Sequence, residues 1–310
     1  MGPADDLAVA ARTLQSTALV QPGGHKQQHQ HVSGPGTSTS TALATDTALI
    51  TTALLVPWGV ADAPPNASAC ASSSPAALQQ NCSLRSAVEL CKSVLTDPLQ
   101  ECFITLQPAE SEGGTAVETE SACVQMDPAL GELLLVNMQG RLRIHGDGCT
   151  ISPLPSAIPG NSSRLFRVQE PLVRSDDFTF MLANATIAGF GSLEVDGGAI
   201  YVDGMTVVIE FVVFRDNYGD AGGAMFVDQS TGIRFLSTRF EGNTAASDGG
   251  GVYLDRFNTD IQFLFCDFIG NTVTGNGFSR QGTTHSNGMA RYSFAYLLVL
   301  LQFQYTPTRH

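Results

Sequence analysis

The segment Gly-Gly-Ala-Ile-Tyr-Val-Asp at residues 197–203 recurs as Gly-Gly-Ala-Met-Phe-Val-Asp at 222–228 and as Gly-Gly-Gly-Val-Tyr-Leu-Asp at 249–255, at spacings of 25 and 27 residues. A second motif, Phe-x-x-Asn, follows each copy and begins at Phe214, Phe240 and Phe268, at spacings of 26 and 28 residues. Two motifs that recur in the same order with nearly the same period indicate stacked structural units, none of which can bury its apolar face alone.

Each unit also contains the alternating apolar residues that are typical of β-strands. Apolar side chains stand seven and five positions before each Phe of the second motif, at Val207 and Ile209, Ile233 and Phe235, and Ile261 and Phe263. The alternation shifts phase just before that Phe, which indicates that one strand ends at a corner and another begins. Because no unit has a stretch long enough for a helix, the repeats predict an all-β fold, a parallel β-helix whose equivalent residues stack about 4.8 Å apart.

Stacking predicts columns of like side chains. Three asparagines would superpose at a turn, where each amide can bond to the amides above and below, and would form an asparagine ladder of Asn217, Asn243 and Asn271. Two further columns would point outward from the same strands: an aromatic column of Tyr201, Phe226 and Tyr253, and an acidic column of Asp203, Asp228 and Asp255. The residues between them have the opposite parity and are predicted to fill the core.

The alternation of Gly-Gly-Ala-Ile with Phe-x-x-Asn resembles the repeats of chlamydial-type polymorphic outer-membrane proteins and of related right-handed, pectin-lyase-like β-helix surface proteins. The resemblance covers roughly residues 178–277. It implies a right-handed single-stranded solenoid at an extracellular or cell-surface location, which is outer-membrane associated in the resembled family. It also implies a structural or adhesive module without catalytic activity, with extracellular glycans or cell-surface or matrix proteins as partners.

The charge balance excludes one class of partner. The chain has 16 Lys and Arg residues against 29 Asp and Glu residues, so its formal net charge is −13. A surface of this sign would repel a phosphate backbone. We therefore expect no nucleic-acid partner.

Residues 1–63 are predicted to form a low-complexity N-terminal extension that includes a signal-peptide-like segment. The His-rich run at 25–31 is interpreted as part of a solvated arm rather than as a metal site. An apolar run at 48–60 precedes Ala61-Asp62-Ala63 and is too short to span a membrane. Two outcomes stay open for this run: cleavage, or retention as an anchor that associates the chain with a membrane.

Residues 64–130 are predicted to form a Cys-rich N-terminal cap. Six cysteines lie close together in the sequence, at Cys70, Cys82, Cys91, Cys102, Cys123 and Cys149. No Cys-x-x-Cys pair suggests zinc, so disulfides in an oxidising compartment are favoured, and six cysteines allow 15 pairings. Cys266 stands in an inward column and is predicted to be a small buried residue. Four N-glycosylation sequons agree with secretion, at Asn66, Asn81, Asn161 and Asn184.

One short helix is predicted ahead of the coils. Apolar residues follow helical spacing between Ser83 and Leu95, Ser83 can cap the first turn, and Asp97-Pro98 ends the helix. Such a capping helix would cover the open end of the apolar stack.

The coils themselves are predicted over residues 131–277. Four prolines mark 152–177 as an irregular loop within them. Both repeat motifs are missing after Gly277, so residues 278–310 are predicted to be an irregular tail.

The acidic column carries the first site hypothesis. Carboxylates stacked about 4.8 Å apart repel one another unless a cation or turn amides intervene. One hypothesis is a calcium site formed by Asp203, Asp228 and Asp255, with calcium as the one cofactor. The alternative, which the residue types favour, is that each Asp bonds to the backbone in the turn after its strand.

The aromatic column carries the second hypothesis. Tyr201, Phe226 and Tyr253 could stack on the sugar rings of a glycan. The favoured alternative is that they stack on one another across neighbouring strands and only stabilise the sheet.

A polysaccharide-processing enzyme, a lyase or glycoside hydrolase of the pectin-lyase-like β-helix class, is the alternative function. Asn258-Thr259-Asp260 matches one fragment of the polygalacturonase pattern without its other parts, and His145 beside Asp147 is isolated. Asn and Asp are expected at turns in any case. No catalytic residue is therefore assigned.

Overall fold

A computed structural model describes residues 50–57, 59–67, 70, 82–107, 122–169, 178–274, 284–285 and 289–292 of the chain. These residues belong to one compact unit, Ala48–His310. The predicted low-complexity arm at 1–47 lies outside the described residues.

Short strands and a single α-helix follow one another along the described part of the chain. In order, they are β1 (Ile50–Pro57), α1 (Leu84–Val94), β2 (Gln100–Gln107), β3 (Val124–Met126), β4 (Leu133–Leu135), β5 (Gly140–Pro153), β6 (Phe166–Gln169), β7 (Phe178–Ala188), β8 (Ile200–Asp203), β9 (Thr206–Glu210), β10 (Val213–Arg215), β11 (Tyr218–Ala221), β12 (Met225–Asp228), β13 (Arg234–Leu236), β14 (Arg239–Glu241), β15 (Thr244–Asp248), β16 (Val252–Leu254), β17 (Ile261–Leu264), β18 (Asp267–Ile269), β19 (Thr272–Val273), β20 (Thr284–His285) and β21 (Met289–Tyr292). A 3₁₀ turn occupies Pro128–Leu130.

The strands form three sheets, each of which collects strands from successive repeats. The largest has 13 strands in the order β20-β18-β14-β10-β7-β9-β13-β17-β21, with β5, β2, β1 and β3 joined to it through β7. The second has the order β16-β12-β8-β6-β4, and the third has the order β11-β15-β19. The named strands from β1 to β19 pair only in parallel, whereas β20 and β21 pair antiparallel. The prediction of a mostly β, parallel-stranded protein with one short helix is confirmed.

The strand register follows the sequence repeats. Met225 lies opposite Ile200 on one side and Val252 on the other, and each of these is its equivalent in a neighbouring repeat. Phe240 lies between Phe214 and Phe268 in the same way. Neighbouring parallel strands need a long crossover connection. The remaining residues of each repeat form this connection, which leads from one strand to its equivalent in the next repeat.

One corner separates the two halves of the largest sheet. The corner residues that follow β9, β13 and β17 are Phe211, Ser237 and Phe265, and each has a positive φ of 47° to 56°. In β7 the same corner is Asn184, with φ 51°: residues up to Ala183 pair with β9, and residues from Thr186 pair with β10. This corner is the phase shift seen in the sequence. We refer to Asn184, Phe211, Ser237 and Phe265 as the first corner column.

Stacked apolar side chains fill the interior. Phe214, Phe240 and Phe268 form one row, with ring centroids 5.1 and 4.8 Å apart and nearly parallel planes. Phe235 and Phe263 form a second row, with centroids 4.6 Å apart. Stacked aromatic rings bury a large apolar area and hold neighbouring strands in register.

The asparagine ladder is buried beside these rows. The Asn243 Oδ1 atom accepts hydrogen bonds from the Asn217 backbone N–H at 3.0 Å and from the Asn217 Nδ2 atom at 2.9 Å. The Asn243 Nδ2 atom donates to Asn271 Oδ1 at 2.8 Å and to the Phe214 carbonyl at 3.0 Å. One side chain thus satisfies buried polar groups from two neighbouring rungs, which an apolar residue of the same size could not do.

The Gly-Gly pairs mark a point of close backbone approach. Gly222 has φ 69°, a region that glycine enters without strain. A Cβ atom on Gly223 would overlap the backbone carbonyl of Gly250 in the next repeat. The second glycine of the pair is therefore required by the stacking distance itself.

The predicted capping helix is present. The Ser83 hydroxyl accepts a hydrogen bond from the Ser86 backbone N–H, which caps the first turn of α1. Ala87, Val88 and Cys91 on one face of α1 are fully buried. Of the pairings that the sequence left open, the structure contains Cys70–Cys82, Cys91–Cys102 and Cys123–Cys149.

The apolar run at 48–60 contains a strand. Its interpretation as a signal-peptide-like segment stays a prediction. Within this run, β1 pairs in parallel with β2 along its whole length, and Val56 is fully buried. Asp62 lies within the supposed cleavage site, and its carboxylate forms a buried ion pair with Arg85 of α1 at 2.9 Å. β1 therefore pairs with β2, and Asp62 with α1, across the predicted boundary between 1–63 and 64–130, which stays a prediction.

Two regions predicted as irregular also contain strands. Within 152–177, residues Phe166–Gln169 form β6, which pairs with both β4 and β8. Within 278–310, β20 and β21 run antiparallel to β18 and β17, and the rest of that tail lies outside the described residues. Neither stretch carries the repeat motifs, so periodicity could not predict the register of these strands.

Replacement of Asn243 by Ala tests the ladder. We expect it to lower the free energy of unfolding by about 3 kcal/mol, because several buried partners lose their hydrogen bonds at once. Urea denaturation measures the loss. Asn161→Ala, at an exposed position, is the control and should change stability by no more than about 0.5 kcal/mol. A loss below about 1 kcal/mol at Asn243 would contradict the importance of the ladder.

Replacement of Asp62 by Ala tests the place of β1 and its flank in the fold. The Arg85 side chain is 6% exposed, so the change would leave a buried guanidinium without its carboxylate, and we expect a loss of about 3 kcal/mol or more. Chemical denaturation is the measurement. Glu89→Ala, which removes the partner of Lys92 in a more exposed pair, should cost about 0.5 kcal/mol or less. Equal losses in the two variants would count against the buried pair.

Candidate functional site

The outer face of the five-stranded sheet carries the predicted aromatic column. Tyr201 on β8, Phe226 on β12 and Tyr253 on β16 lie in register. The Tyr201 and Phe226 rings are parallel to within 2°, with centroids 5.3 Å apart, and the Phe226 and Tyr253 centroids are 5.5 Å apart. Phe226 is only 7% exposed and has an aromatic neighbour on each side.

Two arginines cover the other side of Tyr201. The guanidinium carbons of Arg164 and Arg167 each lie 5.2 Å from the centre of the Tyr201 ring, within range of a cation–π interaction. Both arginines form ion pairs with Glu132, and Arg164 also donates to the Asp196 carbonyl. Burial lowers the pKa of Arg164, and Glu132 opposes that shift. The arginines therefore close the aromatic column at its Tyr201 end.

This geometry bears on the glycan hypothesis for the column. A sugar stacks on a ring face, and the rings of this column turn their faces toward one another and toward the arginines. The arrangement favours the alternative in which the column stabilises the sheet. Glycan stacking by Tyr201, Phe226 and Tyr253 stays a prediction.

The acidic column lies beside the aromatic one, and each carboxylate has its own partner. Asp203 accepts from Gln169 Nε2 at 3.2 Å, and Asp228 accepts from the Arg256 backbone N–H at 3.1 Å. The Asp255 carboxylate lies 3.5 Å from the Arg256 side chain. The Asp228 contact is the side-chain-to-backbone bond that the alternative to calcium predicted.

The calcium hypothesis itself stays a prediction. In the part of the chain that the structure describes, no three side chains of His, Cys, Asp or Glu are grouped as metal ligands would be. The charge of Asp228 nevertheless acts on Asp203. Burial, followed by the charge of Asp228, raises the pKa of Asp203 above its ordinary value of 3.8. Burial and the charge of Asp203 likewise raise the pKa of Tyr201.

The candidate modification and catalytic positions are scattered. Asn66 and Asn161 are exposed, Asn184 is half-buried in β7, and Asn81 lies outside the described residues. Asn258 donates to the Val227 and Asp255 carbonyls and accepts from the Ser230 backbone N–H, so its side chain is used in the turn. In the fragment Asn258-Thr259-Asp260, which matched part of the polygalacturonase pattern, Asn258 therefore stabilises a turn, as Asn commonly does.

Cys266 lies in the inward column where the sequence predicted it. It is fully buried, and its thiol lies within hydrogen-bonding distance of the Leu264 carbonyl at 3.4 Å. Burial raises the pKa of Cys266. A thiol in this setting is not activated as a nucleophile.

Sequence reasoning missed a set of exposed aromatic residues. Phe211, Phe257 and Phe265 are 58%, 75% and 63% exposed, and all three have positive φ. Phe211 and Phe265 belong to the first corner column, where other repeats have Asn184 and Ser237. The signal that could have revealed them is a bulky apolar residue at a corner where another repeat has Asn.

A shallow groove lies near the loop after β5. Its volume is about 270 Å³, and it is lined mainly by apolar side chains that include Pro153, Leu154, Ile158 and Pro159. Asp216 is the one ionisable residue among those that line it. The groove therefore presents no pair of acid and base groups.

In the described residues, no α-helix has the length and apolar character needed to cross a bilayer.

These features define a repeat protein of stacked parallel strands with three disulfides between Cys70 and Cys149. The Chlamydia polymorphic membrane protein (Chlamydia_PMP) repeat matches residues 237–255, which include the last Gly-Gly motif and the Phe-x-x-Asn motif before it. The resemblance predicted from the sequence is confirmed for this segment. No curated protein and no solved structure matches the chain.

The raised pKa of Asp203 predicts a pH dependence of stability. An acid whose pKa is raised by folding favours the folded state at low pH, and this contribution is lost as the pH rises through the folded-state pKa. Asp203→Asn should therefore raise the melting temperature at neutral pH, and the difference from the parent should disappear below pH 3.8. Thermal melts across this range are the measurement. Glu194→Gln removes one exposed charge as the control, and an equal rise in both variants would contradict the argument.

Proposed function

We propose that the chain is a right-handed single-stranded parallel β-helix that serves as a structural or adhesive module outside the cell or on its surface. The observation that carries the proposal is the register of the repeats, in which each strand lies opposite its equivalent in the next repeat. A fold of this kind presents regular, rigid faces. Its partners would be extracellular glycans or cell-surface or matrix proteins.

The path of the chain supports the solenoid. From β8 to β19, consecutive strands go to the five-stranded sheet, to the two halves of the largest sheet and to the three-stranded sheet, and the cycle then repeats. The parallel connections within each sheet are crossovers, and crossovers between parallel strands are right-handed in nearly all proteins. The resemblance to right-handed β-helix repeats points the same way.

Three observations support the location. The three disulfides suit an oxidising compartment. The matched repeat belongs to a family of membrane proteins of Chlamydia, as its description states. Two of the sequon asparagines, Asn66 and Asn161, are exposed, as glycosylation would require. Association with a membrane surface is part of the proposal, and nucleic acid is not a partner because the net charge is −13.

The module is favoured over the enzyme by what the polar side chains do. A lyase or glycoside hydrolase needs an acid and a base that face one substrate. On the outer face of the five-stranded sheet, the charged groups bond to one another or to the backbone instead, as Arg164 and Asp228 illustrate. Asn258 is likewise used within its turn.

Binding and turnover measured on the same oxidised full-length chain separate the two functions. We expect saturable binding to immobilised matrix proteins or glycans by biolayer interferometry. Incubation with pectin, alginate and chondroitin should give no unsaturated or shortened products. Chain reduced and unfolded in urea is the control, and its binding should be lost. Product release, or binding that survives unfolding, would overturn the proposal.

A further inference from the structure

Phe211 and Phe265 form an exposed aromatic pair on one edge of the protein. The Phe211 backbone N–H donates to the Leu236 carbonyl, and the Ser237 N–H donates to the Leu264 carbonyl, so the corner residues of three successive repeats lie in one line. Phe211 and Phe265 are therefore two rungs apart, about 9.6 Å, with Ser237 between them. We refer to these three residues as the Phe corner.

The Phe corner is costly to the fold. A side chain with a Cβ atom is strained at φ 54° or 56°, and a bulky one is rarely found there. The rings also lie largely in water, at 58% and 63% exposure, so core packing does not compensate for the strain. The same corner in an earlier repeat is Asn184, and Asn tolerates this conformation. Strain without structural benefit points to a binding role.

Polar residues and charged residues of both signs flank the Phe corner in the sequence. Arg239 on β14 lies beside Glu241 and Asp267, at 4.0 and 3.9 Å. On β17, the Gln262 amide donates to Asp260. Hydrogen-bond donors and acceptors that flank aromatic rings are suited to a ligand with both apolar faces and hydroxyl groups. The acidic chain disfavours polyanions, and the absence of a basic excess at this edge disfavours an anionic lipid surface.

We propose that the Phe corner binds a neutral, extended polysaccharide, with alternate pyranose units stacked on Phe211 and Phe265. The spacing of the two corner positions, about 9.6 Å, is close to the advance of two units in a flat, β-1,4-linked chain. The unit between them would lie over Ser237, whose small side chain leaves room for it. This inference rests on the proposed adhesive function and names the class of glycan and the residues that bind it.

Titration calorimetry of the full-length chain tests the assignment, with the hexamers of β-1,4-linked glucose and β-1,4-linked N-acetylglucosamine as probes and the α-1,4-linked glucose hexamer as the control ligand. We expect at least one β-linked probe to bind and the coiled α-linked hexamer not to bind. Phe211→Asn and Phe265→Asn should each weaken binding about tenfold, and the double variant should abolish it.

Stability provides the second readout. Asn tolerates positive φ, so Phe211→Asn and Phe265→Asn should raise the melting temperature while they weaken binding. A merely structural Phe would give the opposite change in melting. Phe257→Asn is the matched control, because Phe257 is exposed with φ 56° but lies at a different corner; it should also raise the melting temperature and leave binding unchanged.

Three results would overturn the proposal. The first is β-linked glycan binding that survives in the double variant, and the second is a lower melting temperature in both single variants. The third is failure of both β-linked probes to bind, and binding of zwitterionic lipid vesicles through Phe211 and Phe265 would then identify a lipid surface as the ligand instead. Binding to matrix proteins that the double variant retains would leave the adhesive module standing without this glycan site.

Discussion

Hydrogen bonding between successive repeats through buried asparagines is the constraint on which the rest of the structure depends. The Asn243 amide bonds to the rungs on both of its sides, so the turn that contains it has one geometry in every repeat. Two stretches of the repeat keep a constant length of five residues. The first runs from Val208 to Val213, Arg234 to Arg239 and Gln262 to Asp267 in the three repeats. The second runs on from these positions to Tyr218, Thr244 and Thr272, where β11, β15 and β19 begin. A residue inserted in this half of the repeat would break the amide contacts and leave buried polar groups unsatisfied.

Variation in repeat length is confined to the other half. The equivalent stretches Asp203–Val208, Asp228–Arg234 and Asp255–Gln262 lengthen by one residue from each repeat to the next. Backbone groups at this corner reach water, so an extra residue costs little there. Exposure differs between columns and corners in both halves. Side chains within the columns contact their neighbours above and below, whereas the corner side chains Phe211 and Phe265 are largely exposed.

Sequence reasoning succeeded wherever a residue had an equivalent one repeat away. The aromatic and acidic columns, the buried place of Cys266 and the corner before each Phe all follow from periodicity, and α1 follows from Ser83 and the helical spacing after it. It failed where a strand pairs without resembling its neighbour. β6 is the example: it lies in a stretch that was predicted to be an irregular loop, and it pairs with β4 and β8. β1 lies in a mostly apolar run, a pattern that strands and signal peptides share. The exposure of Phe211 was missed because an apolar residue in a strand-rich segment is assumed to point inward.

The three disulfides make the N-terminal part of the molecule more resistant to mechanical unfolding than the later repeats. All of them lie at or before Cys149, where they tie the first strands to α1 and to one another. The later rungs, which bear the asparagine ladder, are joined only by noncovalent contacts. A force applied between the two ends would therefore peel rungs from the later end one at a time while the crosslinked end stays intact. A chain held at its crosslinked end would lengthen under load as single repeats detach, and the detached repeats could refold against the part that remained folded.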